Sequence, residues 1–78
     1  MATLHWHAYY YEGPEIGGPP VLSTWIEAAS EDEAINIARK HDGRWRSVEL
    51  VRPRWAEAAQ TERVRYVAPL EDWRQRIH

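Results

Sequence analysis

The stretch Gly13-Pro14-Glu15-Ile16-Gly17-Gly18-Pro19-Pro20 does most to restrict how this chain can fold. Three Gly and three Pro in eight residues exclude helix and strand alike. Proline lacks the N–H a ladder needs, and glycine loses too much freedom when fixed. The flanking residues alternate. Between Leu4 and Glu12, the set Leu4, Trp6, Ala8, Tyr10 opposes the set His5, His7, Tyr9, Tyr11. Between Val21 and Ala28, Leu22, Thr24, Ile26 and Ala28 oppose Val21, Ser23, Trp25 and Glu27. A period of two with this aromatic content is a strand pattern. Two strands therefore flank a flexible loop, residues 13–20, that exceeds the usual hairpin length of about two to five. Added loop length costs little entropy, and such loops often carry function.

Ser30 opens a helix predicted over 31–42. Ser30 and Glu33 have the spacing of a capping box. Glu31, Asp32 and Glu33 lie at the positive end of the helix dipole, and Arg39, Lys40 and His41 at the negative end. Ala34, Ile37, Ala38 and His41, with Ile35 beside them, supply an apolar stripe. Gly43 is the expected stop. Alternation returns from Trp45 to Arg52, with Val48 and Leu50 inward and Trp45, Ser47, Glu49 and Val51 on the other side. Pro53 ends that strand. Residues 53–62 fit a short helix or a loop equally. Residues 63–68 make a fourth strand, with Val64 and Tyr66 inward and Arg63 and Arg65 outward. Pro69 is placed to start a final helix over 69–78, whose stripe is Leu70, Trp73 and Ile77. At that length it must dock on something.

The order β-β-α-β-(short α)-β-α predicts a single small α+β domain over residues 1–78. Its four-stranded sheet is antiparallel or mixed, and one main helix packs on a face. Composition fits this size. With 78 residues and no Phe, five Trp and four Tyr must supply much of the core. A chain this short buries only about 60% of its unfolded surface. An enclosed catalytic cavity with a supporting shell does not fit inside it.

No cysteine is present, which removes disulfides, thiolate nucleophiles and Cys-ligated metals while leaving the redox compartment open. No signal-peptide pattern and no membrane span appear in the sequence, so cytoplasm is the expected location. The loop lacks the phosphate-cradle pattern, and its prolines remove the donors such a cradle requires. Ser23 and Ser47 have no His beside them, Ser30 serves as a cap, and Lys40 is the one lysine. The expectation is a protein that is not an enzyme and takes no cofactor.

Charge is divided. Residues 1–38 hold six acids and no Lys or Arg, whereas residues 39–78 hold ten bases and six acids. Such a split orients a partner and speeds encounter, and it also permits self-association. Nine of the ten bases are Arg, the richer residue for specific contacts. Arg44-Trp45-Arg46 and Arg52-Pro53-Arg54-Trp55 bracket the third strand with the residue types most enriched in interface hot spots. The leading expectation is thus an accessory, inhibitory or regulatory protein-binding module. Its contact residues would be Arg44, Trp45, Arg46, Arg52, Arg54 and Trp55, and its partner another protein or a second copy.

Two other readings compete. His5, His7, Tyr9 and Tyr11 share a strand face, and Arg63 and Arg65 would point the same way. Rings that stack bases beside guanidinium groups that meet phosphates suit single-stranded RNA or DNA. Against it stand the acidic net charge and the prospect that the final helix covers this face through Leu70, Trp73 and Ile77. His5 and His7 also suit a small metal-binding protein, being i and i+2 on a strand. That site lacks a third ligand nearby, so no metal is expected.

Overall fold

The computed structural model describes residues 3–52 and 61–75. Its elements are β1 (Leu4–Tyr11), β2 (Leu22–Ala28), α1 (Glu31–Arg39), β3 (Ser47–Arg52), β4 (Glu62–Val67) and α2 (Leu70–Gln75). The sheet is antiparallel throughout, in the order β2-β1-β3-β4. Because β2 and β3 both run antiparallel to β1, they run parallel to each other with β1 between them. α1 joins them by crossing one face, the split β-α-β arrangement. This is a small α+β domain. Of the segment 53–62 allotted to a short helix or loop, residues 53–60 lie outside the described residues and Glu62 already belongs to β4; residues 76–78 of the final helix also lie outside them.

The helix-side face follows the alternation. Trp6, Ala8 and Tyr10 of β1, Ile26 and Ala28 of β2, and Val48 and Leu50 of β3 are buried there against Ala34 and Ala38 of α1. Leu4, Ile35, Val64 and Tyr66 pack around them. Ala at both contact positions of α1 lets the helix approach closely, leaving room for the large rings below it. Ile37, assigned to the stripe by spacing, is 42% exposed, and Ile35 takes its place. The helix is shorter than its pattern suggests, with Lys40 as the C-cap.

Side chains close both helix ends. Ser30 Oγ accepts from the Glu33 N–H at 3.2 Å. The return arm of the box runs from the Ala29 N–H to Glu33 Oε2 at 3.4 Å, one residue earlier than the standard motif. At the other end the Ala38 carbonyl accepts the His41 backbone N–H at 3.2 Å, and two ring side chains add to the cap. Tyr10 donates its hydroxyl to Ala38 O at 2.9 Å, and Trp45 donates its indole N–H to His41 O at 2.8 Å. Gly43, at φ 144°, takes a backbone conformation that side-chain-bearing residues avoid. The chain turns there, so that Trp45 folds back beneath the helix end.

Two ladders slip by one residue at their starts. Val21 N donates to Tyr10 O although Leu22 is the partner of Tyr10 in register, and Arg46 N donates to Tyr11 O although Ser47 is its partner. These are β-bulges in effect, and they end the strict alternation. The second explains why β3 begins at Ser47 and why Trp45 does not share a face with Glu49.

Candidate functional site

The sheet face away from α1 carries the ring-bearing set. Register places side chains in rows across it. Trp25, His7, Val51 and Arg63 form one row, Ser23, Tyr9, Glu49 and Arg65 the next, and Tyr11, Ser47 and Val67 a third. His5 and Glu27 sit at the β1–β2 end, with Nε2 to Oε1 at 3.3 Å. The sequence reading placed His5, His7, Tyr9, Tyr11, Arg63 and Arg65 on one side, and the structure brings all six to this face.

The rings are in contact. His7 and Trp25 stack with centroids 4.5 Å apart and planes 9° from parallel, and Tyr9 leans on His7 at 4.2 Å. Trp25 is 48% exposed. Its membership was missed by the sequence reading, which left β2 out of the ring face. Antiparallel pairing across the 13–20 loop puts Trp25 opposite His7, and that pairing is invisible to periodicity alone.

Glu49 is the other residue missed. It lies on β3, the strand between β1 and β4, and is 6% exposed. A buried carboxylate is costly unless it is paired and hydrogen-bonded. Arg63 Nη1 reaches Oε1 at 3.2 Å and Arg65 Nε reaches Oε2 at 3.4 Å. Both Arg side chains stay more than half exposed. The carboxylate thus holds two otherwise repelling Arg side chains in place beside Tyr9 and Tyr11. Burial, then the Glu49 charge, then Tyr9, push the Tyr11 hydroxyl above its ordinary pKa, while Arg63 and Arg65 pull against them.

The proline-rich loop frames one corner. Ser47 donates its hydroxyl to Gly13 O at 2.7 Å, and Pro14, Glu15 and Ile16 face Arg65 and Val67 across a cleft of about 310 Å³. Among the described residues α2 is tied to the helix side of the sheet, not to this face, and Ile77 of the expected stripe lies outside the described residues. Asp72 of α2 meets Arg39 of α1 at 3.7 Å, and Arg39 lies over the helix-side ring of Tyr66 at 5.9 Å. Within its described residues α2 therefore stands on the helix side. Trp73 is half-buried and Leu70 exposed.

The Arg/Trp bracket of the third strand is dispersed. Trp45 is 1% exposed, meets the Tyr10 ring edge-on at 4.9 Å and has its indole N–H satisfied by His41. It is core, and its assignment to a contact surface is corrected. The reason is the Gly43 turn together with the ladder slip, in a chain that lacks Phe to fill that space. Arg44 is exposed and 3.7 Å from Glu12. These two, with Gly43, Trp45, Val21 and Leu22, line a second cleft of about 360 Å³. Arg46 is half-buried and ties β3 to its neighbours through its backbone, donating to Tyr11 and accepting from Ala68. Arg52 is half-buried and pairs with Glu62 at 3.3 Å. Arg54 and Trp55 lie outside the described residues.

Among the described residues no three His, Asp or Glu side chains come together as a metal site would need. His5 faces Glu27, and His7 lies flat on Trp25. No described helix is long and apolar enough to cross a membrane. The chain matches no protein-family model, no curated protein and no solved structure.

Proposed function

We propose that the chain is a small non-enzymatic protein-binding module, accessory or regulatory in role, whose contact surface is the ring-bearing face of the sheet. The observation that carries this reading is the half-exposed Trp25 lying on His7 beside Tyr9, Tyr11, Arg63 and Arg65. Trp, Tyr and Arg are the residues whose truncation costs most at interfaces. Here they are mounted on strands and held by one another, so little side-chain freedom remains to be lost on binding. The opposite side of the sheet is occupied by α1 and the core.

Single-stranded nucleic acid is the second reading, favoured by the parallel His7–Trp25 stack next to two Arg. Electrostatics weigh against it. Arg63 and Arg65 share the Glu49 charge, and Glu27 sits at the other end of the same face. The face is close to neutral, whereas nucleic-acid affinity comes largely from net positive charge against phosphates. A near-neutral face of rings and Arg suits a protein surface of mixed polarity.

The test is capture of partners from native lysate after nuclease treatment, with the chain as bait. Trp25→Ala and Arg63→Ala should each reduce capture at least about tenfold, the scale of a hot-spot truncation. Arg44→Ala, in the cleft lined by Glu12, Val21 and Leu22, should not. Capture that survives both face variants refutes the reading. Capture that vanishes with nuclease and falls log-linearly with salt transfers it to nucleic acid.

A further inference from the structure

β2 lies at the edge of the sheet, with β1 as its one strand neighbour among the described residues. β1 shares out its main chain between its two neighbours. The Tyr10 carbonyl accepts from β2's approach at Val21, and the Tyr11 carbonyl accepts from β3's approach at Arg46. Even-numbered residues of β1 therefore bond to β2, and their register partners are Leu22, Thr24, Ile26 and Ala28. Ser23 and Glu27 accordingly turn their N–H and C=O groups toward the outer edge.

The two edges of the sheet differ. β4 carries Glu62, Arg63 and Arg65, charges of the kind that discourage strand addition. β2 reads Leu-Ser-Thr-Trp-Ile-Glu-Ala, with no Lys, Arg or Pro and one charge, Glu27. Val21, Leu22 and Trp25, at 53%, 37% and 48% exposed, gather along it. Among the described residues no strand lies outside β2, and an edge strand with an apolar flank is a template for another strand.

We propose that β2 pairs antiparallel with β2 of a second copy, across a two-fold axis at Trp25, so that two sheets become one continuous sheet. Register and charge select this occupant. A two-fold at Trp25 sets Ser23 against Glu27 of the second copy on both sides of the axis. Hydroxyl then meets carboxylate, and the two Glu27 charges stay apart. Trp25 meets Trp25 of the second copy, an aromatic cross-strand pair that extends the His7–Trp25 row. On the helix side Leu22 faces Ala28 and Thr24 faces Ile26 of the second copy, covering the exposed Leu22. Centring the axis one residue earlier, at Thr24, sets the Glu27 charge against Val21 and loses the ring pair. A strand edge of this length makes a small interface, which belongs to the weak, concentration-dependent class. The proposal stands on the β2 edge and shares Trp25 with the ring-face reading, so the variant that separates the two is at Ser23.

Sedimentation equilibrium over a concentration series tests it. The mass should rise from 9.2 kDa toward twice that value as concentration increases. Ser23→Pro removes an outward N–H while leaving the β1 ladder and the ring face in place, because edge strands accept Pro where the N–H faces solvent. It should weaken self-association at least about tenfold. Trp25→Lys, which sets like charges across the axis, should do the same. A mass that stays at 9.2 kDa up to about 1 mM overturns the proposal. So does a dimer that both variants leave intact. Should either variant fail to fold, hydrogen exchange of the unaltered chain decides. Protection of the Ser23 and Glu27 amides that grows with concentration supports the pairing, and protection independent of concentration overturns it. Because Ser23→Pro keeps the ring face, its capture of partners reports on the face separately.

Discussion

Trp45→Ala should be strongly destabilising, although the sequence offers Trp45 as a contact residue. The side chain is 1% exposed, packs edge-on against Tyr10 and donates to His41 O. Truncating a buried Trp costs about 3–5 kcal/mol, including the cavity left behind. The His41 carbonyl also loses a donor at the end of α1, a loss of about 1 kcal/mol that water can partly replace. An expected cost of about 4 kcal/mol follows. A chain of 78 residues holds about 4–12 kcal/mol in total. With a urea slope near 1 kcal/mol/M for a small domain, the midpoint should fall by several molar units. Trp25→Ala is the matched control, since the same atoms are removed from a half-exposed site. It should cost about 1 kcal/mol, the scale of one cross-strand pair. Far-UV circular dichroism in urea, which does not depend on tryptophan emission, measures both. If Trp45→Ala lies within about 0.5 kcal/mol of the parent, the side chain is not core and the argument that moved the contact surface off the third strand fails.

Ser30→Ala should cost about 1 kcal/mol, because its hydroxyl accepts from an otherwise unpartnered helix N–H, and an unchanged urea midpoint would show that the cap contributes nothing. Tyr10→Phe should also cost about 1 kcal/mol and no more, since the Ala38 carbonyl keeps the His41 N–H as a second donor. The Tyr11 hydroxyl is held protonated to higher pH in the folded chain than in the unfolded one. Its stability contribution is therefore present below the unfolded pKa, near pH 10, and is lost as pH rises through the folded value. Ultraviolet titration of tyrosinate should show a late-ionising phenol that Tyr11→Phe removes, and the loss of alkaline stability should shrink in that variant.

Much of the fold was legible because local signals agreed with one another. Period-two alternation, the Ser30 cap and the acid-to-base gradient of α1 each rest on contacts within a few residues, and each reappears in space. Even the six-residue ring face was readable by parity, because side chains on a strand cannot change sides without a slip. What was hidden depended on such slips and on distant pairing. One extra residue at Arg46 moved Trp45 from strand face to core, and no composition rule marks a bulge of that kind. Trp25 belongs with His7 only once the strands pair across the loop. Glu49 reads as an ordinary outward acid until two Arg from β4 close on it. The side of the sheet chosen by α2 followed from the Arg39–Asp72 and Arg39–Tyr66 contacts, which sequence spacing does not encode.

The central claim is that partners meet the sheet face carrying Trp25 and not the corner carrying Arg44 and Trp45. Indole N–H signals in a nitrogen-15 spectrum test it most directly, since Trp25 and Trp45 report from the two places at once. On addition of the protein captured from nuclease-treated lysate, the Trp25 indole signal should shift or broaden, together with the amides of His7, Tyr9 and Arg63. The Trp45 signal, tied to His41, should stay where it is. A spectrum in which Trp45 and its neighbours Arg44 and Glu12 move while Trp25 does not would contradict the account.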